Sequence, residues 1–540
     1  MKNLRNYNIY FHLHTISGIF ACLLLYVIFF AGTFSFFKQE ITAWQNNASY
    51  AAYRHIAVPV DYIIDSLSAI KNLKGRDIDF YFVRNATETY VNVSASSDTT
   101  ITDKNTRTTQ KRGRRGGADR INFKYNYLKN SSGSYEDTYD MGEFLYRLHF
   151  LAQLNQIPIR LGHPFGYMLA GIVSFLFLFA LITGILLHWD KIISNFFTFR
   201  PWTKLKTLWT DAHTALGVIG FPYQFMFAVT GLFLIVNVVL VSPFSKLLYK
   251  SHEEELYSDI GVRTNASYTY TYDSLPQKIV MAPYLNDVKK KWPEATLKSV
   301  QIINYGDKSM HMVIEADADR KKSFAATGKI VYEAATGKVV DYVSVTDKPG
   351  YVQKVRALLY RLHFGDYGGY PLKIIYFILG IMGCVVIISG ILIWYVARDK
   401  KSTAPHKHKF NYWITNIFLS ICLTMFPVTV ITFIAVKLSG IPGQSFIYKV
   451  YFYTWLCLSA LYVIRRNIQK TNKETLLLGG VLCFFIPVAD GITTGNWIWR
   501  SWNTGASDIL IFNLLWIFIG TIALISFIKI KDHERKQMLN

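Results

Sequence analysis

The sequence predicts a polytopic α-helical membrane protein of about eight transmembrane helices, with two extracytoplasmic α+β domains inserted in an internal repeat. Three observations predict it. Of 540 residues, 51% are hydrophobic and 17% charged, with 12 Trp, 35 Tyr and 38 Phe and a mean hydropathy of +0.20, which excludes an ordinary soluble enzyme and a disordered chain. Several apolar runs approach the length of about 20 residues that a helix needs to cross roughly 30 Å of hydrocarbon. The hexapeptide LYRLHF occurs twice, at 145–150 and 359–364.

Eight spans can be drawn, at about 16–37, 165–188, 214–241, 372–396, 412–437, 447–464, 475–489 and 508–528. With Lys2 and Arg5 on the cytoplasmic side, the connections Lys191 to Lys206, Arg398 to Lys409 and Arg465 to Lys473 and the tail from Lys529 also face inward. Each is rich in Lys and Arg, as the positive-inside rule requires. The N-terminal run lacks a cleavage site of small residues and reads as a retained first helix, so both termini are expected on the cytoplasmic side. Much of the net charge of +22 is this loop bias, and with no binding motif beside it a nucleic-acid partner is not expected. Cys22, Cys384, Cys422, Cys457 and Cys483 all fall inside apolar runs, away from any disulfide framework or CxxC pair.

The expected division follows from the spans: a first helix over 1–37, an outer segment with an interfacial stretch over 38–160, a helix over 161–190, an inner loop over 191–210, a helix over 211–241, a second outer segment over 242–368 and a helix over 369–397. A basic inner loop (398–411), a four-helix unit (412–530) and a tail (531–540) complete it. The two outer segments are too long for connecting loops. In the second, a helix near Gln277 to Lys291 precedes alternating stretches around Leu297 to Ile303, Ser309 to Glu315 and Ser323 to Tyr332. A turn at Ala335-Thr336-Gly337 then leads to a last strand, which reads as an α+β module with a small antiparallel sheet. The first segment is less regular, and its stretch from Ser94 to Gly117, with KRGRRGG inside, reads as a flexible basic insertion.

The duplication extends beyond the hexapeptide. His14-Thr15, Gly18 and Gly32 on the first span match His213-Thr214, Gly217 and Gly231 on the third at a constant offset of 199, and Thr183-Gly184-Ile185-Leu186 matches Ser389-Gly390-Ile391-Leu392. The halves run in parallel topology. Four of the 13 histidines are thereby repeated: His14, His213, His149 and His363. Imidazole at a membrane boundary is costly without a partner and is a good iron ligand. His14 and His213 lie at the inner ends of their helices, whereas His149 and His363 precede the outer ends of spans two and four. At 1.5 Å per residue the two levels lie about 25 to 30 Å apart, and one pair at each face is what a wire of two bis-histidine haems b across a bilayer needs. Solvation of interfacial histidines by headgroups is the plain alternative. No CxxCH occurs, so covalently attached haem is excluded.

Other residues carry weaker signals. His12 is an alternative inner ligand on a different helix face. His188, matched by Trp394 in the other half, is either another inner ligand or a snorkelling side chain. His163, before Pro164, could face the outer haem. Arg147 and Arg361, two residues before the outer histidines, suit haem propionates, an anionic substrate or lipid headgroups equally. Tyr146 and Tyr360 read as packing residues.

HT-x-x-G opening spans one and three, RLHF before spans two and four, TGILLHW and SGILIWY closing them, and VYEAATGKVVDYV near the end of the second outer segment together resemble the PepSY-associated transmembrane family. This iron-regulated family includes inner-membrane ferric-siderophore reductases. The resemblance covers roughly residues 8 to 397; it makes the outer segments PepSY-like, the first of them divergent, and implies haem b in the membrane and reduction of iron chelates on the outer side. Residues 411–540 lie outside it, and Asp490, Trp497, Trp499, Arg500 and Trp502 on their outer connection read either as a gate for a substrate or quinol or as an aromatic interfacial belt.

The leading expectation is therefore a dihaem conduit that reduces an outer ferric chelate or siderophore. Its donor is a quinol or a separate reductase, because no nucleotide-binding fingerprint occurs. The alternative is a haem-free membrane scaffold or sensor whose PepSY-like domains bind peptides, peptidases or envelope partners. A secondary transporter is a third reading, weakened by the lack of clear mid-membrane acidic pairs.

Overall fold

The computed structural model describes residues 4–52, 59–100, 120–159, 164–197, 200, 205–250, 255–256, 268–400, 402–440 and 443–530. His163, KRGRRGG and the tail from 531 lie outside the described residues. Those described form two compact units, one of residues 1–47, 139–244 and 362–540, the other of residues 48–138 and 245–361.

In chain order the helices are α1 (Leu4–Ser35), α2 (Lys38–Asn46), α3 (Val60–Ile70), α4 (Met141–His149), α5 (Phe165–His188), α6 (Ile192–Phe197), α7 (Leu205–Leu248), α8 (Ala282–Lys291) and α9 (Tyr351–Phe364). They continue with α10 (Gly369–Arg398), α11 (Pro405–Ser439), α12 (Gln444–Arg465), α13 (Ile468–Cys483), α14 (Phe485–Thr494), α15 (Ile498–Asn503) and α16 (Ser507–Lys529). Among the described residues, eight helical stretches are long and apolar enough to cross a membrane, α13 and α14 together supplying one of them. The chain is a multi-pass membrane protein.

Within the first unit α1 packs on α4, α5 and α10, while α11 packs on α12 and α13, and α13 on α16. The helices overrun the expected spans because helix continues past the hydrophobic window. The first begins at Leu4 rather than near 16, and α7 runs for 44 residues from Leu205. His14 and His213 consequently sit well inside their helices, not in the first turn.

The second unit is built on one sheet. Its strands are β1 (Ile78–Phe82), β2 (Glu88–Val93), β3 (Ile121–Asn126), β4 (Ser131–Gly133), β5 (Thr296–Ile303), β6 (His311–Asp317), β7 (Thr327–Glu333) and β8 (Val339–Val343). They lie in the order β4-β3-β2-β1-β5-β6-β7-β8, every pairing antiparallel. The irregular first segment thus repeats the second: a helix followed by a four-strand meander. The elements read in the second segment are found within a few residues, and Gly337 takes the left-handed conformation (φ +68°) that the turn into β8 requires.

Two separate modules were expected from the two segments; the structure joins them. Each meander has its first strand at an edge, and an unpaired edge offers a row of free backbone groups. Pairing β1 with β5 closes both edges at once, with Ile78 opposite Ile302 and Phe80 opposite Val300. That register puts the apolar side chains of both halves on one face. There they bury against Val60, Ile63, Ile64 and Leu67 of α3 and Val288 of α8 in a single core. Asp61 of α3 also caps the start of α8, accepting from the backbone N–H groups of Met281 (2.6 Å) and Ala282 (3.1 Å).

Candidate functional site

The four repeated histidines meet as two facing pairs. His14 of α1 and His213 of α7 have ring centres 6.1 Å apart, with ring planes at 68°. His149 at the end of α4 and His363 in the last turn of α9 have ring centres 5.9 Å apart, at 37°.

Three of the four rings use Nδ1 in the same way. His14 Nδ1 lies 2.8 Å from the Ala180 carbonyl, His213 Nδ1 2.9 Å from the Val386 carbonyl and His149 Nδ1 2.8 Å from the Ile28 carbonyl. A carbonyl only accepts, so these Nδ1 atoms carry the proton and Nε2 keeps its lone pair. His363 departs from the pattern: its Nδ1 lies 2.8 Å from the hydroxyl oxygen of Thr230. The acceptor carbonyls at the first level are shared, Thr183 donating to Ala180 (3.1 Å) and Ser389 to Val386 (2.9 Å).

Four of the repeated glycines, Gly32, Gly184, Gly231 and Gly390, clear space for these rings. A Cβ at Gly32 would lie 2.4 Å from His149 Nδ1, and one at Gly184 3.1 Å from His14 Cε1. The equivalents are 3.3 Å from His363 Cε1 at Gly231 and 3.1 Å from His213 Cε1 at Gly390. Each histidine therefore lies against a glycine of a different helix, and four of the six glycines read from the repeat are imidazole cradles, whereas a Cβ at Gly18 or Gly217 would meet nothing within 4 Å. Gly32 follows His14 on α1 by 18 residues, which separates the two levels by about 27 Å.

Burial pushes His363 down to about 3, with His149 beside it adding to the effect, and burial also pushes His149 below the ordinary imidazole value against its bond to Ile28. Both rings are neutral at physiological pH, the form that ligates a metal.

The donor set fits haem. In each pair two imidazoles stand with ring centres about 6 Å apart, and His14 with His213 and His149 with His363 would be the residues to hold its iron. Two nitrogens are a poor cage for a bare ion, whereas a tetrapyrrole brings four more. A second ring nitrogen donating to a carbonyl is the usual support of a ligating histidine.

The remaining candidates are placed differently. His12 is exposed and packs edge-on against Phe11, 5.6 Å between ring centres. His188 ends α5 near enough to His213 for their charges to interact, but it is not one of the two facing rings. Arg147 is held by Glu143 one turn earlier (2.7 Å), and Glu143 also binds Lys38. Burial alone would raise the Glu143 carboxyl, but the Lys38 ammonium and the Arg147 guanidinium outweigh it and hold it at about 2. Arg361, assigned to the sheet unit, lies 3.7 Å from Asp317. Tyr146 packs on Phe150, with Lys38 over its ring.

The sequence reading grouped Asp490 with the tryptophans of the nearby connection, and the structure separates them. Asp490, fully buried, pairs with Lys437 at 2.7 Å and accepts from Asn513 (2.9 Å) and Thr494 (2.8 Å). Asn513 in turn accepts from the Trp44 indole N–H (3.0 Å), and Lys437 lies over the Trp44 ring and donates to the Trp44 carbonyl. Trp497 and Trp499 stack on each other, and Trp499 and Trp502 are exposed. The signal that would have found the ion pair was in view: one charge near the end of each of two apolar runs.

Helices crossing the membrane in two parallel halves, with a histidine of each half meeting its counterpart at two levels, define a duplicated membrane protein built around paired imidazoles. The PepSY-associated TM region family matches residues 11–397, and the chain belongs to it. The helices after 397 lie outside that match. No curated protein matches the chain.

Proposed function

We propose that this protein is a haem b-containing oxidoreductase of the bacterial inner membrane that carries electrons across the bilayer to reduce extracytoplasmic ferric chelates, such as ferric siderophores, in iron acquisition. The observation that carries this reading is the meeting of four duplicated histidines as two facing pairs about 27 Å apart. Haem supplies reversible one-electron chemistry when bound between such imidazoles. The chain's own part is to hold each Nε2 unprotonated by engaging Nδ1, to clear the rings with glycine, and to keep both levels inside packed helices.

Loop charge supports the orientation: Lys191 and Lys206 flank the connection at the His14–His213 level, which makes that level cytoplasmic and the sheet unit extracytoplasmic. The donor is a quinol or a separate reductase. A quinol gives up two electrons and two protons, and the electrons reduce two ferric ions to ferrous. Ferrous iron leaves a chelate of hard oxygen ligands more readily than ferric iron does.

The test is the dithionite-reduced minus oxidised spectrum of the full-length protein in detergent, with pyridine-haemochrome stoichiometry, for wild type, His14→Ala and His363→Ala. About two haems b in wild type are expected, with a different one disturbed in each variant. Haem-free protein from haem-replete cells overturns the reading and favours a scaffold or sensor.

A further inference from the structure

The duplication is broken at one hydrogen bond. At an offset of 199, Thr230 is the counterpart of Ala31, and the carbonyl of Phe227 is the counterpart of the Ile28 carbonyl that receives His149. His363 turns instead to the Thr230 hydroxyl (2.8 Å). That hydroxyl is buried, and its own proton is committed to the Met226 carbonyl at 2.6 Å, so its oxygen accepts from His363 Nδ1. Three of the four imidazoles thus donate to a backbone carbonyl, His213 having the Ser389 hydroxyl as a longer second contact (3.4 Å) beside the Val386 carbonyl, whereas His363 donates to an alcohol oxygen.

An alcohol oxygen is the weaker acceptor, because an amide carbonyl carries more negative charge through resonance. The stronger the acceptor on Nδ1, the more electron density reaches Nε2, and the more basic the ligand becomes. A more basic ligand favours ferric over ferrous iron. The His14–His213 level has two carbonyl-supported imidazoles, whereas the His149–His363 level has one.

We propose that Thr230 is a positioning residue that raises the reduction potential of the His149–His363 level above that of the His14–His213 level, so that electrons run downhill from the first level to the second. This rests on the haem reading of the two pairs. It adds direction to that reading: the same fold with four carbonyl acceptors would have no such bias from its imidazoles.

The experiment is a spectroscopic redox titration of the purified full-length protein, after its haem content has been measured. Wild type is expected to show two midpoints, the higher one lost in His363→Ala. Thr230→Ala, which restores the arrangement of the first half and leaves His363 the Phe227 carbonyl, lowers that midpoint by about tenfold in its reduction equilibrium, 59 mV for one electron. Thr230→Ser keeps the hydroxyl and retains the wild-type value. Coincident wild-type midpoints, a lower midpoint at the His363 level, or a Thr230→Ala protein with two haems and unmoved potentials each overturn the inference while leaving the haem reading intact. Absence of haem overturns both. Should Thr230→Ala fail to fold, the order of the two wild-type midpoints still decides.

Discussion

The duplicated helices and the C-terminal helices place polar side chains inside the membrane unit in opposite ways. In the duplicated part, each of four imidazoles is tied at Nδ1 and faces a partner ring about 6 Å off, close enough to share a ligand and too far to bond directly. In the C-terminal part, Lys437 and Asp490 touch at 2.7 Å and are enclosed by Asn513, Thr494 and Trp44. A polar group left half-satisfied among packed helices is free to take a ligand, whereas one satisfied on all sides acts as a fastening.

Breaking the fastening has the largest expected effect. Lys437→Met leaves the Asp490 carboxylate buried beside Asn513 without its counter-charge, at a cost of about 3–5 kcal/mol. Thermal unfolding in detergent reads it, and Lys437→Met combined with Asp490→Leu is expected to recover most of the loss. A single variant as stable as wild type would remove the distinction between the two regions.

Next comes the clamp on α4, the helix that carries His149. Glu143 is held at about 2, below its ordinary value of 4.5, so it contributes stability that is full above about pH 4.5 and is lost as the pH falls toward 2. The shift corresponds to roughly 3 kcal/mol. Glu143→Gln should therefore lower stability at neutral pH and flatten the acid limb of a stability–pH curve. An unchanged acid limb would show that Lys38 and Arg147 do not stabilise this carboxylate.

Gly32→Ala sharpens the comparison at the open site. The added methyl meets His149 Nδ1 at 2.4 Å, so the ring must move, at about 1–3 kcal/mol. On the proposed haem reading the expected signature is spectral: a haem held at the His149–His363 level would be disturbed while one at the other level would not. The smallest effect belongs to the sheet unit, where Asp61→Ala removes the cap of α8 and costs about 1 kcal/mol. Faster limited proteolysis of the segments flanking α8 would register it.

Much of this was legible in the chain. Span number, the repeat, the four histidines and the strands of the second segment follow from local periodicity and fixed offsets. The repeated glycines were visible too, but not their purpose, since a glycine in a helix reads as ordinary packing until the ring against it is seen. The first segment's meander was hidden by the insertion before β3, and the merger of two modules by the fact that an edge strand and an inner strand share one alternating pattern.

The sequence by itself determined that four imidazoles fall on two levels of a duplicated helical membrane protein, because helical rise and repeat offset are properties of the chain. Only the tertiary structure decided which rings face each other and what holds them. Those bonds join residues 121 to 173 positions apart, and three of the four acceptors are backbone carbonyls. Every residue carries a carbonyl, so such an acceptor leaves no mark in the sequence, and it becomes specific only when packing brings it to a particular nitrogen.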